Sequence, residues 1–575
     1  MRAGRVLTAA FLVAGASAAT PALALGPAAS SSSVNTGANS TQSACDWPMY
    51  GHDPTRTMST GCSLAPTASS VSGMLPRWHI HTDDVVTASP TVYDGVVYVG
   101  DWSGKFYALD LNSGSTLWTT LLGPKRTDGS ADRHTGAYGT ITSTAAVAEI
   151  GGKPVVFVGA GGSLYALNGA RASIPDAQRV LWRVDFDPGH PTSHGEVESS
   201  PVVWTDAPGG PQVFVGSDAN QDSGYVGEGI WAVDARTGSQ LWHFNPETYT
   251  QHPLYGCGNV WSSPALGLDP SNHDPSQRAV LYFGSADCPD NSGTPCPSDG
   301  SDAYCPKGGQ YQYANRWQKY AESITALSAV TGLPVWSYQG HPKNSQDDDD
   351  YGASAQLFTL PTGQTVVGEA GKDGLYVVLD RQSGSLIWRA PETGNGNVQQ
   401  GLAIGGFIGT PAVGNVAGKP TVFGGVAINT PVTYDASGNP TLQDPSTIIQ
   451  GIPGLQAFSG SSGSHAWSGL QPYTYAATSI ANGVVYTGSI DGFFRALDAA
   501  TGRVLWAFPL GAPVSSGAAI AGATVVIGAG TSESDVEFKA CAQTPAALTQ
   551  LCKQTPLNQT LNPLGDLGGV WAFSA

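Results

Sequence analysis

Short runs of alternating apolar and polar residues recur along the chain as similar units. Residues 87–118 read TASPTVYDGVVYVGDWSGKFYALDLNSGSTLW, and residues 477–506 read ATSIANGVVYTGSIDGFFRALDAATGRVLW. In each unit, Asp-Gly or Asn-Gly, a Gly-containing loop, and Ser-Gly or Thr-Gly separate four apolar runs, which predicts a four-stranded antiparallel meander. Weaker copies lie between these two and end in tryptophans, namely Trp182, Trp242, Trp336, Trp388 and Trp467.

The two ends of the chain hold complementary parts of one further unit. An eighth copy begins at Ser516, resumes as GVWAFSA at the C-terminus, and lacks its last strand, whereas LPRWHI at 75–80 is such a strand without a unit. Eight sheets packed radially bury the faces that a single sheet leaves open, and a shared last sheet hides the remaining edges. The pattern therefore predicts an all-β, eight-bladed β-propeller closed by the N-terminal strand. An open β-solenoid is the alternative, but it does not explain the complementary ends.

The connections between the predicted strands differ in length in a regular way. Those between strands one and two, and between strands three and four, are short in every copy. Most of the extra sequence lies between strands two and three or between one unit and the next, and in a meander these connections emerge on the same rim. Because ligand sites tend to lie on loops above a rigid scaffold, we expect a site near the axis on that rim.

Composition excludes two classes of protein. Hydrophobic residues make up 41% of the chain, charged residues 12%, and the mean hydropathy is −0.10, so the chain is not a charged disordered protein. The formal net charge of −18 opposes binding to nucleic acid, whose phosphates carry the same sign.

The N-terminus has the features of a targeting segment. Residues 1–25 contain two early arginines, an apolar stretch and an Ala-Leu-Ala cleavage site, which predict a signal peptide, with a membrane anchor as the alternative. Residues 26–44 are rich in Ser, Thr, Asn and Gly and predict a flexible segment, so the propeller is assigned to residues 45–575. We expect a secreted or extracytoplasmic protein without a membrane span.

Eight cysteines in an exported chain favour disulfides. A structural zinc site is the alternative, but the sequence has no C-x-x-C, and the absence of C-x-x-C-H also argues against covalently attached haem. The expected pairs are Cys45–Cys62, Cys541–Cys552, Cys257–Cys288 and Cys296–Cys305.

The repeat resembles that of a known family. Its pattern GxLYALDxxTGxxLW, with a preceding SSPxV strand, is similar to the repeat of quinoprotein alcohol dehydrogenases, which bind pyrroloquinoline quinone (PQQ). The segment DWPMYGHDPTRT resembles the start of polyvinyl-alcohol-dehydrogenase-like members, although the haem domain of such relatives is missing. Over residues 45–575, the resemblance implies an enzyme that oxidises a small or polymeric alcohol, uses PQQ with Ca²⁺ or a lanthanide, and passes electrons to a separate acceptor. A non-catalytic binding or scaffold propeller is the alternative, because such proteins share the repeat.

Three local matches imply roles for individual residues. GCGNVWSSPALGLDP resembles the family segment whose tryptophan lies beneath the quinone, which implies stacking on Trp261 rather than a core tryptophan. LYFGSADCP resembles the family segment with a calcium-ligating Asn, where this chain has Asp287, a hard oxygen ligand or else a turn residue. GEAGKDGLYVVLDRQSG implies that Lys372 stabilises negative charge on the quinone oxygen, with a solvated loop lysine as the alternative.

The family places its catalytic aspartate in the loop that reads WSYQGHPKNSQDDDDYGAS here, at 336–354. The resemblance favours Asp347 as the base that takes the alcohol proton, but any of the aspartates at 347–350 fits. If Asn344 stands at that place, the base is missing, because an amide cannot accept the proton. The four aspartates also fit a cation-binding or merely solvated loop.

The remaining ligands have no clear match in the sequence. Glu228, Glu196 and Glu198 are candidates for a metal-ligating glutamate, and Glu228 is preferred. Arg133 and His134 are candidates for contact with the cofactor carboxylates, because a guanidinium pairs well with such groups.

Overall fold

Eight blades, each built on a four-stranded antiparallel sheet, form an all-β propeller in the computed structural model, which confirms the predicted fold. The structure describes residues 45–123, 139–172, 174–186, 196–218, 227–246, 258–269, 272–286, 319–340, 350–391, 408–427, 433–434, 440–441, 454–469, 474–489, 492–530 and 569–575. The signal peptide and flexible segment predicted for residues 1–44 lie outside these ranges. Short 3₁₀ turns are found at Val71–Gly73, Asp176–Gln178 and Pro275–Gln277.

The first two strands precede blade one, and blades one to four follow the chain in order. These strands are β1 (Ser59–Thr60), β2 (Leu75–Ile80), β3 (Thr91–Tyr93), β4 (Val96–Gly100), β5 (Lys105–Asp110), β6 (Thr116–Leu121), β7 (Ala146–Ile150), β8 (Lys153–Ala160), β9 (Ser163–Asn168), β10 (Val180–Asp185), β11 (Val202–Trp204), β12 (Gln212–Ser217), β13 (Gly229–Asp234), β14 (Gln240–Phe244), β15 (Ala265–Leu268), β16 (Ala279–Gly284), β17 (Ser323–Ser328) and β18 (Pro334–Gln339). Blades one to four are β3–β6, β7–β10, β11–β14 and β15–β18.

The second half of the ring repeats this arrangement. Its strands are β19 (Gln356–Thr359), β20 (Thr365–Ala370), β21 (Leu375–Asp380), β22 (Leu386–Pro391), β23 (Ala412–Val416), β24 (Lys419–Gly425), β25 (Thr433–Tyr434), β26 (Pro440–Thr441), β27 (Leu455–Ser459), β28 (His465–Gly469), β29 (Ser479–Ala481), β30 (Val484–Gly488), β31 (Phe493–Asp498), β32 (Val504–Pro509), β33 (Ala519–Ala521), β34 (Thr524–Ala529) and β35 (Gly569–Ser574). Blades five to seven are β19–β22, β23 with β24, β27 and β28, and β29–β32, while β25 and β26 form a separate hairpin. Blade seven also has β1 as a fifth strand, which runs parallel to β29.

The eighth blade joins the two ends of the chain, as the sequence predicts. It has the strand order β2-β35-β34-β33, and β2 runs antiparallel to β35 with Leu75 opposite Ser574 and Ile80 opposite Val570. The indole Nε1 of Trp506 in blade seven donates to the Met74 carbonyl, just before β2, at 3.0 Å. The N-terminal strand therefore completes the ring.

A tryptophan on the outer strand of most blades packs on the next blade. The Trp182 indole donates to the Ala235 carbonyl at 3.1 Å and lies over Gly238, where a Cβ atom would come within 2.8 Å of the ring. Gly238 also has a φ of +73°, so both the turn and the close approach require glycine. This packing explains why a Thr-Gly or Ser-Gly turn and a tryptophan recur together. The same contact joins Trp242, Trp336, Trp388 and Trp467 to Gly332, Gly384, Gly463 and Gly502.

Buried hydroxyl groups connect the innermost strands of neighbouring blades. The amide of Ser263, in the SSP sequence before β15, donates to the Ser354 hydroxyl of blade five at 3.0 Å. Equivalent amide-to-hydroxyl bonds of 2.9–3.0 Å run from Gly517 to Ser89, Ser89 to Thr144, Thr144 to Ser200, Ser200 to Ser263, and Ser354 to Thr410. In blades one to six, the Ser or Thr residue before the first strand thus satisfies a buried amide that no sheet ladder reaches.

Residues 45–60, which we call the hub segment, contact the innermost part of every blade. Backbone hydrogen bonds of 2.8–3.0 Å link Cys45 to Gly522, Trp47 to Val92, Pro48 to Val147, Pro54 to Leu266, Thr55 to Leu357, Thr57 to Val413 and Met58 to Ile480. Blade three is reached by the buried Arg56 guanidinium, which donates to the Ser200 and Pro201 carbonyls. The segment is tied back by the predicted Cys45–Cys62 disulfide, which is confirmed. The other six cysteines lie outside the described residues.

The two rims differ, although less sharply than the sequence suggests. Two connections on the predicted plain rim are longer than expected, at 169–179 in blade two and 269–278 in blade four. The second of these borders a cleft of about 380 Å³ between blades four and five, near Tyr282 and Arg381. The prediction of uniformly short turns on this rim is therefore wrong for these two blades.

Candidate active site

Three candidate residues, Trp261, Asp350 and Lys372, lie at blades four and five on the rim that carries the long connections. Trp261 precedes β15, the first strand of blade four, and Asp350 lies in the connection that leads into β19, the first strand of blade five. Lys372 lies in the connection between β20 and β21, the second and third strands of blade five. Both types of connection emerge on the rim where we expected the site.

The side chains of these residues contact one another. The Lys372 Nζ donates to Asp350 Oδ2 at 2.7 Å, and the Trp261 Nε1 donates to the same oxygen at 3.3 Å. The Lys372 Nζ also lies 5.3 Å from the centre of the Trp261 ring, within the range of a cation–π interaction. We call Trp261, Asp350 and Lys372 the rim triad.

The backbone around the rim triad fixes its geometry. The Lys372 amide donates to the Asp350 carbonyl at 2.9 Å, and the Tyr351 amide donates to the Ser285 carbonyl of blade four at 3.3 Å. Gly352 lies against the Trp261 ring, where a Cβ atom would come within 1.6 Å of the indole. Any side chain at that position would displace the indole.

The rim triad combines charge, partial burial and an aromatic surface. The side chains of Asp350 and Lys372 are 6% and 14% exposed, whereas the Trp261 residue is only half-buried. A half-buried indole beside an ammonium group suits a planar, negatively charged ligand, and a nearby carboxylate can accept a proton. These are chemical properties that a quinone-dependent oxidation needs.

Glu228 is placed differently from the triad. It is fully buried, its Oε1 accepts from Asn245 Nδ2 at 3.2 Å, and its carbonyl accepts from His243 Nε2 at 2.8 Å. Burial lowers the pKa of His243 to about 4, so this histidine is neutral at physiological pH. These contacts are all made within blade three, and they do not connect Glu228 to the triad.

Several predicted residues lie outside the described ranges. Among them are Asp287, Asp347 and Arg133, whose assigned roles stay predictions, together with Asn344 and His134. Glu196 is described, and it is buried at 4% exposure with backbone hydrogen bonds to Asp218. Within the described ranges, no three His, Cys, Asp or Glu side chains come close enough to hold a metal ion.

One residue near the triad was not considered from the sequence. Glu369, on β20, is fully buried beneath the rim. The sequence does carry a signal, because Glu369 interrupts the run TVVGEA, in which every residue after the first is buried. A lone acid inside a buried strand indicates a special environment.

Comparison with known proteins agrees with the fold and with the quinoprotein pattern. The family model described as outer membrane protein assembly factor BamB matches residues 75–263 and 454–540. The model described as the β-propeller domain of glucose, ethanol and alcohol dehydrogenases matches residues 304–400, which include Asp350 and Lys372.

Two relatives match most of the chain. Lupanine 17-hydroxylase [cytochrome c] of Pseudomonas sp is 26% identical over 502 residues, covering 78% of this chain and 67% of the relative. Polyvinylalcohol dehydrogenase of Pseudomonas sp is 24% identical over 479 residues, covering 77% of this chain and 64% of the relative. The chain thus spans about two thirds of the length of these relatives.

A solved structure shows the same fold over nearly the whole chain. A europium-containing methanol dehydrogenase superposes with a TM-score of 0.63 at 17% identity, covering 93% of this chain and 99% of the other. In the described part of the chain, helices of membrane-spanning length and apolarity are absent.

Proposed function

Because the chain belongs to the PQQ-dependent quinoprotein alcohol-dehydrogenase-like family, we propose that it is an oxidoreductase that oxidises an alcohol with PQQ at the rim triad. The observation that carries this proposal is the contact of Lys372 and Trp261 with one carboxylate oxygen of Asp350. Exposed ion pairs are common on protein surfaces, but this one is shielded and shares its carboxylate with a half-buried indole.

The residues of the triad fit a bound quinone. Trp261 offers an aromatic plane on which a flat tricyclic group can stack, and Lys372 offers a positive charge beside that plane. When bound, PQQ supplies the acceptor for the hydride and electrons that leave the alcohol carbon. The positive charge of Lys372 would stabilise negative charge on the quinone oxygen.

We propose Asp350 as the base that accepts the hydroxyl proton. The Asp350 carboxylate accepts hydrogen bonds from the Lys372 ammonium and the Trp261 indole. The Asp350 backbone carbonyl accepts a third hydrogen bond, from the Lys372 amide. A base in such a fixed position contributes about 10²–10⁴-fold to proton-transfer catalysis. Asp347, which the resemblance favours, lies outside the described residues, and its role as the base stays the alternative.

The finer assignments are also proposals. Asp287 and Glu228 are proposed to ligate Ca²⁺ or a lanthanide, and Arg133 to pair with the cofactor carboxylates. Buried Glu228 is already engaged by Asn245, so a metal there would need an additional ligand shell from residues outside the described ranges. The protein is proposed to be exported and to pass electrons to a separate acceptor, with a small or polymeric alcohol as substrate.

The test combines binding and turnover. Purified protein with PQQ and Ca²⁺ should reduce an artificial electron acceptor when primary, secondary or polymeric alcohols are added. Asp350→Asn should lower kcat by at least about 100-fold while PQQ still protects the protein against thermal unfolding. Trp261→Ala should weaken that protection.

Asp347→Asn is the matched control, because it removes a carboxylate from the same loop. If it abolishes turnover while Asp350→Asn remains active, Asp347 is the base and our assignment is wrong. If neither PQQ protection nor dye reduction is found with any of the alcohols, that result favours the alternative of a non-catalytic binding propeller.

A further inference from the structure

Glu369 is a buried acid for which the proposed reaction has no direct use. It lies on β20 in blade five and is 0% exposed. Neither carboxyl oxygen has a hydrogen-bond partner among the residues that the structure describes. An ionised carboxylate in such a position would be very unfavourable without a partner, whereas a neutral acid is tolerated.

The carboxyl group lies in the seam between blades four and five. A Cβ atom added to Gly284, at the end of β16 in blade four, would come within 2.1 Å of Glu369 Oε1 and 2.2 Å of the Tyr351 carbonyl oxygen. The Glu369 carboxyl and the Tyr351 carbonyl therefore crowd the same side of Gly284. Both groups present oxygen atoms, so a negative charge on Glu369 would repel the carbonyl dipole.

The environment keeps the acid protonated. Burial raises the pKa of Glu369 well above its ordinary value, and the nearby Gly284 amide, which donates its hydrogen bond to the Ser262 hydroxyl, offsets this effect only in part. The titratable groups on the surrounding elements include Lys372 and Asp373 on the same blade, and Asp350 and Tyr351 on the connection from blade four. Gly284, at the end of β16, and the Ser285 and Ala286 that follow it carry no charge. Two further buried titratable groups lie close by: Glu322, whose amide donates to the Ala286 carbonyl, and Tyr376, which pairs with Ala370 on the neighbouring strand.

The seam around Glu369 supports each part of the rim triad. Tyr351 directly follows Asp350, and Lys372 lies three residues after Glu369 on the same blade. Gly284 exchanges two hydrogen bonds with the Ser262 hydroxyl, and Ser262 directly follows Trp261. A shift of the seam would therefore move all three segments that carry the triad.

We propose that neutral Glu369 is a positioning residue of the active site, which keeps the seam closed so that Asp350 stays on Lys372 and Trp261. Ionisation of Glu369 opens the seam and lowers turnover without removing any group that touches substrate. This inference rests on the proposed function, because it concerns the geometry of the proposed base.

Two variants test the proposal. Glu369→Gln keeps the shape and is neutral at every pH, so its kcat at neutral pH should lie within about twofold of wild type. At alkaline pH, wild-type kcat should fall while that of Glu369→Gln persists, which moves the alkaline limb upwards by at least about one pH unit. Glu369→Ala leaves a cavity in the seam and should lower kcat at least about tenfold at every pH, with little change in KM.

A stability measurement separates this proposal from the proposed function. Above pH 4.5 the unfolded chain loses the Glu369 proton and the folded chain retains it, so wild type should lose stability relative to Glu369→Gln as pH rises. Glu149→Gln, at an exposed position on β7, is the control and should follow wild type. The urea midpoint as a function of pH provides this readout without any cofactor.

Three outcomes are decisive. If Glu369→Gln matches wild type in both pH profiles, Glu369 is not a neutral acid in the seam and the proposal is overturned. If only the stability profile differs while the kcat profiles coincide, the acid is neutral but does not position the triad, which also overturns it. If no variant turns over alcohol yet the stability profiles differ, the proposed function fails while the neutral seam acid is supported.

Discussion

Replacing Arg56 by methionine should destabilise the propeller through the hub segment. The guanidinium is fully buried, and it donates to the Pro264, Ser200 and Pro201 carbonyls at 2.9–3.0 Å and also to the Tyr50 carbonyl. Burial lowers the pKa of Arg56 to about 10, so the group remains charged at neutral pH and its hydrogen bonds are charge-assisted.

The expected magnitude follows from the four carbonyl groups that the variant leaves without this donor. A buried acceptor without a partner costs about 1–3 kcal/mol. Two effects offset part of this loss. The variant no longer buries a charge, and water can enter the vacated space and hydrogen-bond to the carbonyl groups. We therefore expect Arg56→Met to lower the free energy of unfolding by about 3–5 kcal/mol.

Urea unfolding followed by tryptophan fluorescence measures this loss as a lower midpoint. Arg236→Met is the matched control, because that guanidinium is half exposed and pairs with Asp234 in its own turn. The control should leave the midpoint unchanged. If Arg56→Met gives the same midpoint as Arg236→Met, the hub segment does not stabilise the ring and the reasoning fails.

Three further changes probe other parts of the scaffold. Replacing both Cys45 and Cys62 by serine, 17 residues apart, should lower the free energy of unfolding by about 3 kcal/mol, and a reductant should have the same effect on wild type. The folded protein binds a proton at His243 only near pH 4 but the unfolded chain does so near 6.5, so stability should fall as pH drops between these values, by up to about 3 kcal/mol. His243→Phe should flatten that part of the pH profile of the urea midpoint. Gly238→Ala forces a methyl group into the neighbouring indole and should unfold at a lower urea concentration than Gly483→Ala, which has a similar φ but open space; equal midpoints would contradict the packing argument.

The fold was predictable because its determinants are local and repeated. Each unit carries its turns and its tryptophan, and the strand at 75–80 fits the incomplete copy at the C-terminus. The hub segment was not predictable, because DWPMYGHDPTRT has no strand periodicity. Its partners are single amides on different blades, and they come together only in the closed ring.

The site was predictable only in part, for a related reason. Trp261 and Lys372 could be proposed from local resemblance, but the four consecutive aspartates are equivalent in any pattern. Asp350 stands out only through its contacts with residues 89 and 22 positions away. Contacts of that kind depend on the packing of one blade against the next, which local sequence does not encode.

The rim triad spans the seam between blades four and five, so its geometry depends on the contacts that hold these two blades together. Asp350 belongs to the connection between blades four and five, so the distance between its carboxylate and Trp261 depends on how the two sheets pack. A shift of 1 Å between catalytic groups can reduce a rate about 100-fold. The Ser263–Ser354 hydrogen bond and the hub segment, through Leu266 and Leu357, both join these two blades on the side of the axis. Independent connections close to the axis thus restrict the relative motion of the blades, and that restriction allows a site assembled from distant segments to keep a fixed geometry.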